Sequence, residues 1–169
     1  MKKKLLLHLT LFLIFMGSSA LLFYQGPVDP AESTAYRATY LSRTEMNQAI
    51  KMEAPKDLVQ PGKIYVFGQF LYINEKYQGI HIINNADPSS PKNIGFINIP
   101  GNIDLAIKNN TLYADNGVDL VSINIANLNQ LQITHRNERV FPDNWATSPD
   151  GYQVPLEKDD AIFAGWENK

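Results

Sequence analysis

The sequence predicts an all-β fold: two four-stranded, propeller-like blades that form a partial β-propeller, preceded by an N-terminal signal or anchor helix and one short helix. Three observations predict it. The stretch "GIHIINNADPSSPKN" at 79–93 has a shortened counterpart, "DLVSINIANLNQ", at 119–130. The two copies are spaced by about forty residues, the length of a blade made of four short antiparallel strands. In "IYVFGQFLYI" and "GIHIINN" residues of both parities are apolar, as expected of strands buried on both sides. One such unit cannot cover its own two faces, so a second copy is expected to stack on it.

Taken in chain order, residues 1–24 open with Lys2, Lys3 and Lys4 and continue as an apolar run. That pattern is a secretory signal or a retained membrane anchor, and the basic start keeps the N-terminus in the cytoplasm while the rest is exported. Residues 25–40 turn to Pro, Gly, Ser, Asp and Glu ("GPVDPAEST") and are expected to be a linker. In the short helix expected over 41–54, Ser42 and Glu45 have capping-box spacing, Leu41 and Met46 occupy the staple positions, and Pro55 stops the helix.

Beyond Gly62 the period becomes extended. Strands are expected at 64–67, 70–74, 79–83 and 94–99, then at 103–107, 111–114, 119–125 and 131–135. Aligning the sets places Leu71-Tyr72 over Leu112-Tyr113, Ile83-Asn84 over Ile123-Asn124, and Ala86-Asp87 over Ala126-Asn127, with one residue deleted between. Asp87, Pro88 and Pro91 force a turn in the first copy, whereas Leu128 and Leu131 replace the prolines in the second, so that turn is expected to be degenerate. The repeats occupy 61–139, and 140–169 is expected to be an irregular tail with a possible final strand in "AIFAGW".

The stretch "LYINEKYQGIHIINNADPSSPKNIGFINIPGNIDLAIKNNTLYADNGVDLVSINI" resembles the LVIVD-repeat proteins, bacterial extracytoplasmic β-propeller-like proteins that are often lipoproteins of the Bacteroidota. The resemblance covers about residues 61–166. It implies a cell-envelope location and a repeat scaffold with no established catalysis, and it transfers no functional residue. The chain departs from the lipoprotein members in having no cysteine after the apolar run. It also shows two repeats where such proteins commonly carry more.

Composition narrows the chemistry. A formal charge of −2, with no Lys/Arg cluster beyond the leader, argues against nucleic acid. The absence of cysteine removes disulfides, thiolate metal sites and a thioether-linked lipid. No cofactor is expected. His81 in a strand and His135 at a strand end lack a second ligand or nucleophile at a telling spacing, so both are read as packing residues. "DNGVD" offers Asp115, Asn116 and Asp119 as a candidate Ca²⁺ site, against the hairpin signal of Asn116-Gly117. Asn109-Asn110-Thr111 matches a glycosylation sequon but is expected to form a two-residue hairpin turn.

In the tail, Trp145, Tyr152 and Trp166 beside Glu157, Asp159 and Asp160 are the candidate ligand-binding aromatics, suited to a protein or an envelope glycan. Two exposed blade faces need a cover, supplied by the helix, by the tail or by self-association. The expected function is an extracytoplasmic binding or assembly scaffold of the bacterial envelope, without catalysis. The alternatives are an envelope hydrolase using Glu75, Asp115 and Asp119, or a fragment of a longer LVIVD-repeat propeller.

Overall fold

The computed structural model describes residues 28–142, 145–156 and 161–169. The expected signal or anchor at 1–24 lies outside them. The described chain is mostly β, in several antiparallel sheets of which none closes on itself.

The first large sheet contains β2 (Lys51–Glu53), β3 (Pro61–Phe67), β4 (Phe70–Glu75), β5 (Gly79–Asn84) and β6 (Lys92–Asn98) in the order β2-β6-β5-β4-β3. A second contains β7 (Leu105–Lys108), β8 (Thr111–Asn116), β9 (Asp119–Asn124) and β10 (Gln132–Asn137) in the order β10-β9-β8-β7. All eight strands expected from the period-two runs are present. Their turns follow local chemistry: Asn109 and Asn110 both take positive φ, 52° and 55°, which a tight two-residue hairpin requires and asparagine tolerates.

The turn after β9 corrects one expectation. In the first copy Asn84 Oδ1 accepts from Ala86 N at 3.0 Å and Asp87 Oδ1 from Ser89 N at 3.0 Å. In the second, Asn124 Oδ1 accepts from Ala126 N at 2.9 Å and Asn127 Oδ1 from Asn129 N at 3.1 Å. The Asx side chains set the turn, and the prolines only stiffen it.

Cross-strand partners point to the same side, so each sheet has two definable faces. The first sheet's front carries Tyr65, Phe67, Tyr72, Ile80, Ile82 and Ile97. It packs on Leu105, Ile107, Leu112, Ala114, Val121 and Ile123 of the second sheet in one core cluster. Tyr65 Oη donates to Ile107 O across the joint at 2.8 Å, which lets a tyrosine sit there without an unmet hydroxyl. Fully burying each isoleucine, leucine and valine among them contributes about 1.5–3 kcal/mol to the joint.

The linker expected at 25–40 is not a linker throughout. A single turn of helix, α1 (Pro30–Ser33), is capped by Asp29, with Pro30 at the position where proline costs no hydrogen bond. It is followed by β1 (Tyr36–Ser42), paired with β13 (Ala161–Asn168). The Pro/Gly composition of 25–33 masked the β-formers Tyr36, Thr39, Tyr40 and Leu41 that follow it. The tail is likewise more regular than expected. Besides β13, β11 (Trp145–Thr147) and β12 (Gln153–Pro155) form a hairpin.

The helix expected at 41–54 is α2 (Arg43–Ala49), with the capping box in place: Glu45 N donates to Ser42 Oγ, and Ser42 N donates back to Glu45 Oε2. Met46, fully buried, packs with Leu41, Val118, Ile162 and Ala164. The helix ends before Pro55 because Lys51–Glu53 pairs with the outer edge of β6, and Asn98 Nδ2 takes the Ala49 carbonyl at 2.8 Å.

Asp150 ties the segment after α1 to the β11–β12 hairpin. Its carboxylate accepts from Thr34 Oγ1 (2.6 Å), Ser148 Oγ (2.5 Å) and Ala35 N (2.8 Å). The Ser148 and Thr34 hydroxyls and the Ala35 amide hold its pKa down at about 2. Because the folded value is lowered, this contact contributes fully above the ordinary aspartate value of about 3.9 and is lost only as pH falls through the folded one. An NMR titration of the Asp150 carboxyl should therefore show a midpoint near 2, with the Ala35 amide losing exchange protection in Asp150→Asn.

Candidate functional site

At the end of the second sheet that faces β13, a cavity of about 360 Å³ opens between the loop before β7, the β8–β9 hairpin and the tail. Its aromatic and aliphatic lining includes Tyr77, Ile103, Val118, Phe141, Leu156 and Phe163, and the carboxylates of Asp104 and Asp115 stand at one side.

The walls are fixed from several directions. Tyr77 holds a positive φ of 64° because its N–H donates to Asn102 O at 2.6 Å and its carbonyl accepts from Gly101 N at 2.9 Å. Its ring meets Phe163 edge-on at 5.4 Å, and its hydroxyl reaches Thr147 O at 3.2 Å. Gly101 and Gly117 face each other closely. A Cβ on Gly101 would fall 2.7 Å from Gly117 N, and both glycines have positive φ, so side chains there would close the floor. Phe141 is partly exposed, and its N–H donates to Val118 O at 3.0 Å.

Asp115 accepts from Asn102 Nδ2 (2.8 Å), Ile103 N (2.9 Å) and Asp104 N (2.8 Å). Burial pushes its pKa up, helped by the charge of Asp104, against the pull of these backbone donors. Asp104 goes the other way. Its pairing with Lys63 at 2.8 Å, outweighing partial burial, lowers it. Asp104 is thus the more solvated of the two acids, paired with Lys63, and Asp115 the more buried, held by the amides of the loop before β7.

The residues proposed as a calcium site are not brought together. Asp115 points into the loop before β7, whereas Asp119 accepts from Arg43 Nη1, from Arg136 Nη1 at 2.6 Å and from Arg139 N at 3.0 Å. Asn116 gives its oxygen to Arg136 Nη1 at 2.9 Å and its amide to Pro100 O at 2.7 Å. Cationic and amide donors occupy the oxygens a metal would need. No group of three or more His, Asp or Glu among the described residues is placed to hold a metal ion. Burial works to raise the Asp119 pKa, but the Arg139 N–H and the two guanidiniums prevail and lower it.

The candidate aromatics Trp145, Tyr152 and Trp166 are dispersed too. Trp145 lies in β11, and its side chain lies outside what the structure describes. Tyr152 is exposed on the β11–β12 hairpin. Trp166 packs edge-on against Phe163 at 5.3 Å and lines a separate cavity of about 370 Å³ with Tyr36, Tyr40 and Val154. Glu157, Asp159 and Asp160 lie outside the described residues.

His135 is exposed and bonded to Asn137 Oδ1 at 2.9 Å. His81 is fully buried, with its Nε2 at 3.0 Å from Glu75 Oε2. Glu75 also accepts from Val59 N at 3.0 Å and from Gln60 N. Burial raises its pKa, but these donors together outweigh that and leave it lowered. Sequence reasoning missed the Asn74–Asn102 pair, joined at 2.6 Å, and the role of Asn102 in anchoring Asp115. The one available signal was an asparagine interrupting the apolar strand "FLYINE".

No family model, curated protein or solved structure matches this chain.

Proposed function

We propose that the protein is an exported, non-catalytic β-repeat module of the bacterial envelope, built from two propeller-like blades, that binds a protein or glycan segment in the cavity beside the second sheet. The observation that carries this is the division of labour among its polar groups. Glu75, Asp115 and Asp119 are each committed to separate internal donors, which leaves the mainly aromatic and aliphatic cleft beside the second sheet as a surface for recognition. Clefts with apolar walls and a few fixed polar groups suit recognition. The hydrolase alternative needs those three acids in one site with titration tuned for proton transfer. Asp115 alone of them lines the cavity and is raised. The resemblance of residues 61–166 to the LVIVD-repeat proteins supports the envelope setting and the scaffold role.

The test is a peptide array and an envelope-glycan array probed with the wild type and with Phe141→Ala. The wild type is expected to retain a defined subset of spots, and the variant to bind them about tenfold more weakly, the loss of one aromatic anchor. Absence of binding on both arrays, or binding indifferent to Phe141, would overturn the proposal. So would turnover of an arrayed substrate that Asp115→Asn abolishes.

A further inference from the structure

The back of the first sheet, open along β3 and covered elsewhere, is the residue-by-residue counterpart of a surface that the second sheet buries. On the second sheet Leu105, Ile107, Leu112 and Ile123 are covered by the front of the first. Their equivalents in the first repeat are Ile64, Val66, Leu71 and Ile83. Leu105 and Ile107 are 2% and 5% exposed, whereas Ile64 and Val66 are 59% and 66% exposed; Leu71 is half-buried and Ile83 is buried, so the open patch is the β3 part of that face. The segment around Lys56–Gln60 covers only the far half of that back, where Lys56 lies over Phe96 at 4.3 Å and Val59 and Gln60 bond to Glu75. A half-interface is left at the β3 edge.

The other half of such an interface lies at the opposite end of the same molecule. The front of the second sheet carries Ala106, Tyr113 and Leu120, which correspond to Tyr65, Tyr72 and Ile80 on the buried front of the first. With Phe141 they line a groove of about 200 Å³. One face therefore presents protruding aliphatic side chains, and the other a shallow groove whose apolar floor is bordered by Asp115 and the Lys63–Asp104 ion pair. Both are the unused sides of a packing mode that the chain already uses once internally.

We infer that the back of the first sheet docks onto the front of the second sheet of another copy of this chain, head to tail. The contact is heterologous, so it propagates into a ring where the rotation closes and into a filament where it does not. Lys108 and Ser122 stand where the first repeat has Phe67 and Ile82, so the contact between copies is less apolar than the internal one and is reversed by dilution. The inference depends on the equivalence of the two sheets as blades and deepens the assembly side of the proposed function.

The chain contains no cysteine, so single thiols can be introduced cleanly. Tyr65 meets Ile107 at the internal joint, and their counterparts across the proposed contact are Ala106 and Val66. Full-length Val66→Cys and Ala106→Cys chains, separately tagged and co-expressed, are treated in whole cells with a short bismaleimide. A cross-linked species carrying both tags is expected, with none when either variant is expressed alone. Self-cross-linking of Val66→Cys alone would overturn the inference in favour of back-to-back pairing. No product from the co-expressed pair, with both thiols labelled by a monofunctional maleimide and circular dichroism native, would overturn it outright. Either outcome alongside retained array binding sinks the stacking and leaves the binding module standing.

Discussion

Replacing Asp119 by Ala should lower stability by about 3–5 kcal/mol, the range for removing one partner of a buried ion pair and leaving the other charge uncompensated. The Asp119 side chain is 0% exposed and receives Arg43 of α2, Arg136 of β10 and the Arg139 N–H. Its loss leaves Arg136, 13% exposed, with the Asn116 oxygen in place of a carboxylate partner, and frees Arg43 at the first turn of the helix. The cost is the desolvated cation and not the missing attraction, so Asp119→Asn should recover only a minor part. A calorimetric midpoint reduced by about 10 °C or more is the expected reading for a chain of this size. Arg37→Ala is the contrast. Its partner Glu167 and Arg37 itself are both over half exposed, and its loss should cost under about 1 kcal/mol. Equal effects from the two substitutions would show that the Asp119 cluster is not the joint between α2 and the second sheet.

The eight strands of the two large sheets were legible because each is a short β-branched or aromatic run between turn residues. In "KNNTLYADNGVDL" the turn chemistry fixes the register without tertiary help. The packing of one sheet on the other was legible as well, but the expectation of strands buried on both sides fails at β3, where Ile64 and Val66 stay 59% and 66% exposed. What composition hid was pairing between distant segments. Tyr36–Ser42 reads as the end of a polar linker until Ala161–Asn168 is brought beside it, and no local signal specifies a partner more than a hundred residues away. The acids failed for a related reason. Asp115 and Asp119 sit four apart in the sequence, but the strand alternation and the intervening Gly117–Val118 turn send one to the loop before β7 and the other to two arginines. Sequence spacing in a hairpin gives proximity of backbones, whereas a metal site needs convergence of side chains.

Glu75→Gln is expected to have the other large effect. The carboxylate is 2% exposed and serves three donors: Val59 N, Gln60 N and His81 Nε2. A glutamine offers one acceptor oxygen and turns an N–H₂ toward groups that themselves donate, so buried donors are left unmet at about 1–3 kcal/mol each. The segment from Glu53 to Pro61 crosses the back of the first sheet and is held there largely by Val59 and Gln60, so their amides should exchange faster in the variant than those of β4 and β5. The pH dependence gives an independent check. Because the folded pKa of Glu75 is lowered, its contribution is complete above the unfolded carboxylate value of about 4.3 and declines as pH falls through the folded one. The stability difference between wild type and Glu75→Gln should therefore be flat from about pH 7 to 5 and shrink below about 4. A difference that instead grew on acidification would mean that the neutral acid, donating to His81, is the form the fold selects. The same variant bears on assembly, since a loosened crossing segment exposes His81 and Phe96 beside Ile64 and Val66 and so alters the very surface on which a second copy is proposed to dock.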